Sequence, residues 1–138
     1  VTPEAVEYNF PLLLDEGTIK IPSYNLETIL AEKLDTILSR AENNTRMRDF
    51  YDVCYLNSIY KEQIKKDVLK EALFRTSEKR KHQTVFNNSC VILQKITDSS
   101  ELKKLWENYR RRYAYARDLD YQKVISSVIE LVEKIKLV

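Results

Sequence analysis

Glycine is almost missing from this chain: there is one in 138 residues, Gly17. Prolines number three, cysteines two, and there is a single histidine. So few backbone breakers fit a helix bundle with tight connections. One histidine and two distant cysteines give no zinc-type spacing and no disulfide framework. Cys54 and Cys90 both fall in helical patterns and read as thiols of a reducing cytoplasm. No apolar run approaches the ~20 residues of a membrane span. The start, Val1-Thr2-Pro3-Glu4-Ala5-Val6, lacks the basic end and apolar block of a signal peptide. A cytoplasmic protein with no membrane partner is expected. An excess of one charge is lacking too. Twenty-three basic residues face 21 acidic ones, for a net charge of +2. Bulk charge therefore argues neither for nor against nucleic acid. What is present is 43% hydrophobic and 32% charged residues, enough to bury a core. The length suits one domain or part of a larger one.

The pattern predicts an α+β chain that is mostly α. Residues 6–14 have strand character, Asp15-Glu16-Gly17 is a turn signal, and 18–21 alternate and end at Pro22. This predicts an N-terminal β-hairpin over residues 1–22, with Pro11 at an edge or bulge. A lone hairpin is marginal in water, so it is expected to belong to a larger sheet. Residues 23–138 read as a bundle of about six helices. Their expected spans are 26–41 (with Asn25 as N-cap), 45–60, 61–74, 85–96, a fifth reaching 117, and a sixth through 137. Ile64, Val68, Leu69, Ala72 and Leu73 are the expected inward residues of the third. Residues 75–83 read as a polar loop. Thr97-Asp98-Ser99-Ser100 is the expected cap of the fifth helix, and Asp118 or Asp120 that of the sixth. There are no internal repeats and no low-complexity tracts.

Lys33 sits where a lysine is out of place. Leu26, Ile29, Leu30, Leu34, Ile37, Leu38 and Ala41 mark the buried stripe of the first helix. Lys33 falls inside it. Arg40 lies two turns further on nearly the same line, about 10.5 Å away at helical rise. Cations at the inner side of an apolar helix are costly unless an anion meets them. The next segment offers Asp49 and Asp52, which share a helix face at i and i+3. The spacing of Lys33 and Arg40 suits an extended anion such as a triphosphate. Lysine presents a point charge and arginine a planar fork matched to phosphate oxygens. In this reading Asp49 holds a proton or orients the lysine. The competing reading has Lys33 snorkelling to water, Arg40 capping its helix, and Arg48 and Asp52 as an ordinary i, i+4 pair.

Two motifs carry a resemblance. Ala31-Glu32-Lys33 with Arg40 seven residues on, followed by Arg48-Asp49-x-x-Asp52, resembles the second half of AbiEii-type nucleotidyltransferase toxins. These belong to type IV toxin–antitoxin systems of abortive phage infection. The resemblance is strongest over residues 18–60. It implies transfer of a nucleoside monophosphate from an NTP to an RNA such as a tRNA, and a cognate antitoxin as a partner. It implies that Lys33 touches the nucleoside triphosphate, that Arg40 supports it, and that Asp49 and Asp52 complete a catalytic site. Family members also carry, upstream, a Gly-Ser (or Gly-Gly-Thr) helix start and an Asp-x-Asp pair that holds Mg²⁺ under the nucleotide phosphates. This chain has neither. Asp118-Leu119-Asp120 stands on the wrong side of the other motifs and reads as capping. The hairpin is then expected to be a remnant of the nucleotidyltransferase core. The chain is expected to be a C-terminal portion, inactive alone, with no metal ligands of its own; Mg²⁺ and NTP would serve only the full-length parent.

The remaining candidates are basic. Arg75, Lys79, Arg80 and Lys81 are candidate RNA-phosphate contacts, or simply a solvated loop. His82 has no evident partner and reads as a surface residue. Arg110-Arg111-Arg112 beside Tyr109, Tyr113 and Tyr115 mixes charge and rings as single-strand binders do, although a helix would split them between a packed and a wet face. Trp106 reads as core. The alternative to the transferase is a non-catalytic helical module that binds a protein partner or RNA.

Overall fold

The computed structural model describes residues 7–11, 18–22, 25–82 and 86–136, with side chains from Leu26 onward. It is mostly helical. Glu7–Pro11 (β1) and Thr18–Pro22 (β2) pair antiparallel, with Glu7 opposite Pro22 and Pro11 opposite Thr18. The expected turn at Asp15-Glu16-Gly17 and the side chain of the expected cap Asn25 lie outside the described residues.

Six α-helices follow among the described residues: Asn25–Arg40 (α1), Met47–Tyr60 (α2), Lys66–Lys79 (α3), Ser89–Asp98 (α4), Ser100–Arg112 (α5) and Tyr121–Lys136 (α6). α1 packs against α2 and α3, while α2 also packs on α6, which in turn meets α3, α4 and α5. The apolar stripes meet in one core. Leu30, Leu34, Phe50, Leu69, Ile96, Trp106 and Leu131 are fully buried in it. The Trp106 ring N–H donates to the Leu119 carbonyl at 2.8 Å, so the buried indole leaves no polar atom unmatched.

Side-chain caps set several boundaries. The Ser99 hydroxyl accepts from the Leu102 N–H at 3.1 Å and starts α5. Asp120 accepts from the Lys123 N–H at 2.8 Å and starts α6. α3 borrows its cap from afar: buried Glu27 on α1 accepts from the Lys65 N–H at 3.0 Å. Such a cap leaves no local signal. α3 accordingly begins five residues later than residue 61, after a single 3-10 turn at Lys61–Gln63.

α3 also runs past residue 74, to Lys79, through what periodicity reads as a loop. Its last turn has no apolar stripe and is held instead by polar ties to α1. Lys81 then adopts φ 63°. The Lys81 N–H bonds the Glu78 carbonyl at 3.1 Å, and the His82 N–H bonds the Ser77 carbonyl at 2.6 Å. This is a Schellman stop with lysine where glycine usually sits. Val68, expected inward, is exposed, because the buried face of α3 is the Leu69–Leu73 line. α5 stops at Arg112 rather than near 117, where Arg110 turns back and donates to the Arg117 carbonyl at 2.7 Å.

Candidate functional site: a lysine held by two buried aspartates

The chain reverses between α1 and α2 over six residues. Ala41 takes φ 48°, a left-handed conformation that costs a non-glycine residue about 1–2 kcal/mol. Buried Asn44 accepts the Arg46 N–H on its side-chain oxygen at 3.0 Å. α2 can then start at Met47 and lie against α1, with Asp49 in its first turn. The i, i+3 spacing sets Asp49 and Asp52 on the face that meets Lys33. Lys33 Nζ lies 3.3 Å from Asp49 Oδ1 and 2.8 Å from Asp52 Oδ2. The lysine side chain is 21% exposed and the two aspartates 4% and 3%. The amine reaches water, and the carboxylates do not.

Two further cations flank the pair from the solvent side. Arg46 Nε is 4.0 Å from Asp49 Oδ2, and Arg48 Nε is 3.7 Å from Asp52 Oδ2. Three cations thus surround two carboxylates. Asp49 Oδ2 and Asp52 Oδ1 are buried and accept no hydrogen bond. Leaving buried carboxylate oxygens unmatched is costly. Burial accordingly pushes the Asp52 carboxyl above its ordinary range, with the Asp49 charge adding to the rise; Lys33 and Arg48 oppose it without cancelling it. Asp52 is therefore a better proton acceptor than a surface aspartate. The lysine has three N–H donors. Two are directed to the aspartates, which leaves one for an anion arriving from solvent.

Arg40 is exposed at the end of α1. No ion pair to it is found among the described residues, so it does not join the carboxylates in this state. Asp118 is exposed and Asp120 is occupied in capping α6. The four basic candidates of residues 75–81 differ in what they touch. Arg75 and Lys79 ride on α3 rather than in a loop, and Arg75 pairs with Glu71 at 2.6 Å. Lys79 and Lys81 are exposed. Arg80 is spent on α1: its guanidinium lies 3.2 Å from Asp35 Oδ2 and also donates to the Glu32 carbonyl and the Thr36 hydroxyl.

Asp35 is the polar centre that sequence reasoning missed. It is fully buried. It accepts from the Ser77 hydroxyl at 3.0 Å and faces His82 Nδ1 at 3.0 Å, besides Arg80. His82 thus has a partner after all. The signal was available. Asp35 follows Ala31 by four residues and precedes Leu38 by three, so it lies inside a buried stripe as Lys33 does. α1 therefore carries a compensated cation toward α2 and a compensated anion toward α3.

Tyrosines form the flank beside Arg48 and Asp52. The Tyr51 and Tyr115 ring centroids are 4.7 Å apart, and those of Tyr109 and Tyr113 4.8 Å. The Tyr109 and Tyr115 hydroxyls share a hydrogen bond of 2.7 Å. Burial raises the Tyr109 phenol well above its usual range, with the Tyr115 hydrogen bond adding to it. Burial raises Tyr51 and Tyr115 as well, so these three phenols are neutral walls at any ordinary pH.

The donor set does not suit Mg²⁺. Magnesium asks for carboxylates and waters in octahedral array. Here Asp49 and Asp52 already enclose an ammonium and face two guanidinium groups. Among the described residues no group of three or more His, Cys, Asp or Glu side chains converges as a metal site. No helix among them is long and apolar enough to cross a membrane.

Comparison with curated proteins and with solved structures finds no match. A family model, the nucleotidyl transferase AbiEii toxin of type IV toxin–antitoxin systems, matches residues 1–128. That span contains α1 and α2 with Lys33, Asp49 and Asp52, and the chain therefore belongs to the AbiEii nucleotidyltransferase toxin family.

Proposed function

We propose that the Lys33 cluster is the phosphate-facing part of a nucleotidyltransferase site. The reaction would move a nucleoside monophosphate from a nucleoside triphosphate to an RNA such as a tRNA. One observation carries this reading: three cations, Lys33, Arg46 and Arg48, surround only two carboxylates. The surplus charge faces water, and exposed Arg40 adds a further cation two turns along α1. A purely structural ion pair has no need of that surplus.

In this reading Asp49 and Asp52 hold the ammonium still, so that little side-chain entropy is lost when phosphate arrives. Lys33 gives its remaining N–H to a phosphate oxygen, and Arg40 grips the far end of the triphosphate with its planar fork. Asp52, lifted by burial, is the group suited to accept a proton from an attacking hydroxyl. The metal that neutralises charge in such transfers finds no ligand set at this cluster. We therefore propose that this chain alone binds nucleotide without transferring it. The strands Glu7–Pro11 and Thr18–Pro22 fit the edge of a nucleotidyltransferase sheet, and type IV membership makes a cognate antitoxin the expected partner. The alternative, an RNA-binding module built on the basic segment near Arg80, is weakened because Arg80 is committed to Asp35.

The test is calorimetric binding of a nucleoside triphosphate, diphosphate and monophosphate to the chain and to its Lys33→Ala and Arg40→Gln variants. Affinity should fall with each phosphate removed, and both variants should lose the preference for triphosphate. Incubation with labelled triphosphate, Mg²⁺ and tRNA should leave the label unincorporated. Equal affinity for all three ligands would refute the phosphate-facing assignment. Robust metal-dependent incorporation would refute the inactivity of the chain alone.

A further inference from the structure

α3 has two faces. Leu69, Leu73 and Ser77 are buried, Ser77 on Asp35 of α1. The opposite face carries Asp67, Lys70, Phe74 and Glu78, whose spacings of three and four put them on one side of a helix. Phe74 meets Phe86 edge-on at a centroid distance of 5.5 Å and has Lys70 Nζ 5.8 Å from its ring centre. It is nonetheless 45% exposed. Shallow clefts of about 400 Å³ and about 310 Å³ lie beside it. One exposed ring is ordinary on a protein surface; the charges around this one are not. They are antisymmetric about Phe74. Lys70 stands four residues before it and Glu78 four after. Asp67 stands seven before, and exposed Lys81 seven after, just past the helix end. Each charge thus has its opposite at the matching distance on the other side. Glu71 and Arg75 interrupt the series but pair with each other at 2.6 Å. Among the described residues Asp67, Glu78 and Lys81 make no ion pair.

We propose that this face binds a second copy of the chain, the two α3 helices lying antiparallel across a twofold axis at Phe74. Such an axis makes the contact self-complementary, each residue facing the one equally far beyond the axis. Phe74 meets the partner's Phe74, and each ring leaves water in the cleft beside the other. Lys70 meets the partner's Glu78 about 6 Å along the helix from the axis, and Glu78 meets the partner's Lys70. Asp67 meets the partner's Lys81 at the rim. A parallel pair would set lysine on lysine and glutamate on glutamate, so the charges select the antiparallel arrangement. A foreign partner of uniform charge would be repelled by half of these groups, whereas a second copy matches them all. The stripe from Asp67 to Glu78 spans only about 17 Å of helix, less than a standard interface uses, so the dimer should be weak. The face points away from α1, and the pairing stands apart from the function proposed for Lys33.

The experiment is sedimentation equilibrium of the chain across the micromolar to millimolar range. The parent should dimerise reversibly, and added salt should weaken the dimer. Lys70→Glu sets four carboxylates around the axis, and Glu78→Lys sets four ammonium groups there. Each should weaken association by at least about fivefold, because two attractive rim pairs have become repulsive. The Lys70→Glu/Glu78→Lys double variant should recover most of the parent's affinity. An equimolar mixture of the two single variants should dimerise more tightly than either alone, since every facing pair is then opposite in sign. Phe74→Gln should also weaken association. Far-UV circular dichroism of each variant should match the parent's. A chain that stays monomeric throughout, single swaps that leave the dimer intact, or mixed variants that fail to pair would overturn the proposal.

Discussion

Replacing Lys33 with methionine keeps an unbranched apolar stem of similar length and removes the ammonium with its N–H donors. The consequence is large because of what stays behind. Asp49 and Asp52 are 4% and 3% exposed, and each has one oxygen already without a hydrogen-bond partner. Removing one member of a buried charge cluster typically costs ~3–5 kcal/mol. The amine is partly wet and two arginines remain, so about 2–4 kcal/mol is the reasonable range here. For a domain of this length that is on the order of 10 °C in Tm. The loss should depend on pH. Burial already holds the Asp52 carboxyl above its unfolded value, and Lys33 is the strongest influence opposing that rise. Without Lys33 the folded-state value climbs further. A carboxyl whose folded value exceeds its unfolded one binds more protons when folded, so stability falls as pH rises through the window between the two. The penalty of Lys33→Met should therefore be full at pH 7.5 and smaller at pH 5. Urea melts of parent and variant at both pH values measure it, and adding Asp52→Asn to Lys33→Met should recover much of the loss at pH 7.5. A penalty under about 1 kcal/mol, equal at both pH values, is what a snorkelling lysine would give, and it would refute the reasoning.

Three further outcomes follow from other parts of the molecule. Asp35→Ala strips a fully buried anion from Ser77, Arg80 and His82 and should cost about 2–4 kcal/mol, read as a lower urea midpoint. Lys81→Gly removes the left-handed strain at φ 63° and should stabilise by about 1 kcal/mol, read as a higher Tm. Ser99→Ala deletes the cap on the Leu102 N–H and should cost about 1 kcal/mol in the same melts.

How much of this was legible in sequence depends on which force set each feature. α1 was readable because hydrophobic periodicity governs it. The same periodicity exposed Lys33 as an anomaly, and the acid pair on one face of the next helix, Asp49 and Asp52, is what meets it. The α5 and α6 caps were readable because Ser99 and Asp120 act within three residues of themselves. α3 was misjudged at both ends because its determinants are remote. Glu27 caps its start across 38 residues, and Asp35 holds its last turn across 42. Asp35 itself escaped notice although it breaks an apolar stripe as plainly as Lys33 does. Its partners Ser77, Arg80 and His82 lie in a segment that composition presents as solvated. The tyrosine array was half visible. Along a continuous helix Tyr109 and Tyr113 would share a face and Tyr115 would point away, but α5 ends at Arg112, and the turn that follows brings Tyr115 back onto both.

The sharpest test of the central claim observes the Lys33 ammonium itself. Its side-chain ¹⁵N resonance, assigned by comparison with Lys33→Met, can be followed while a nucleoside triphosphate is titrated in. If the phosphate-facing assignment is right, that resonance shifts saturably with triphosphate and stays still with the unphosphorylated nucleoside. A Lys33 signal that does not move while triphosphate binds elsewhere, or does not bind at all, would contradict it.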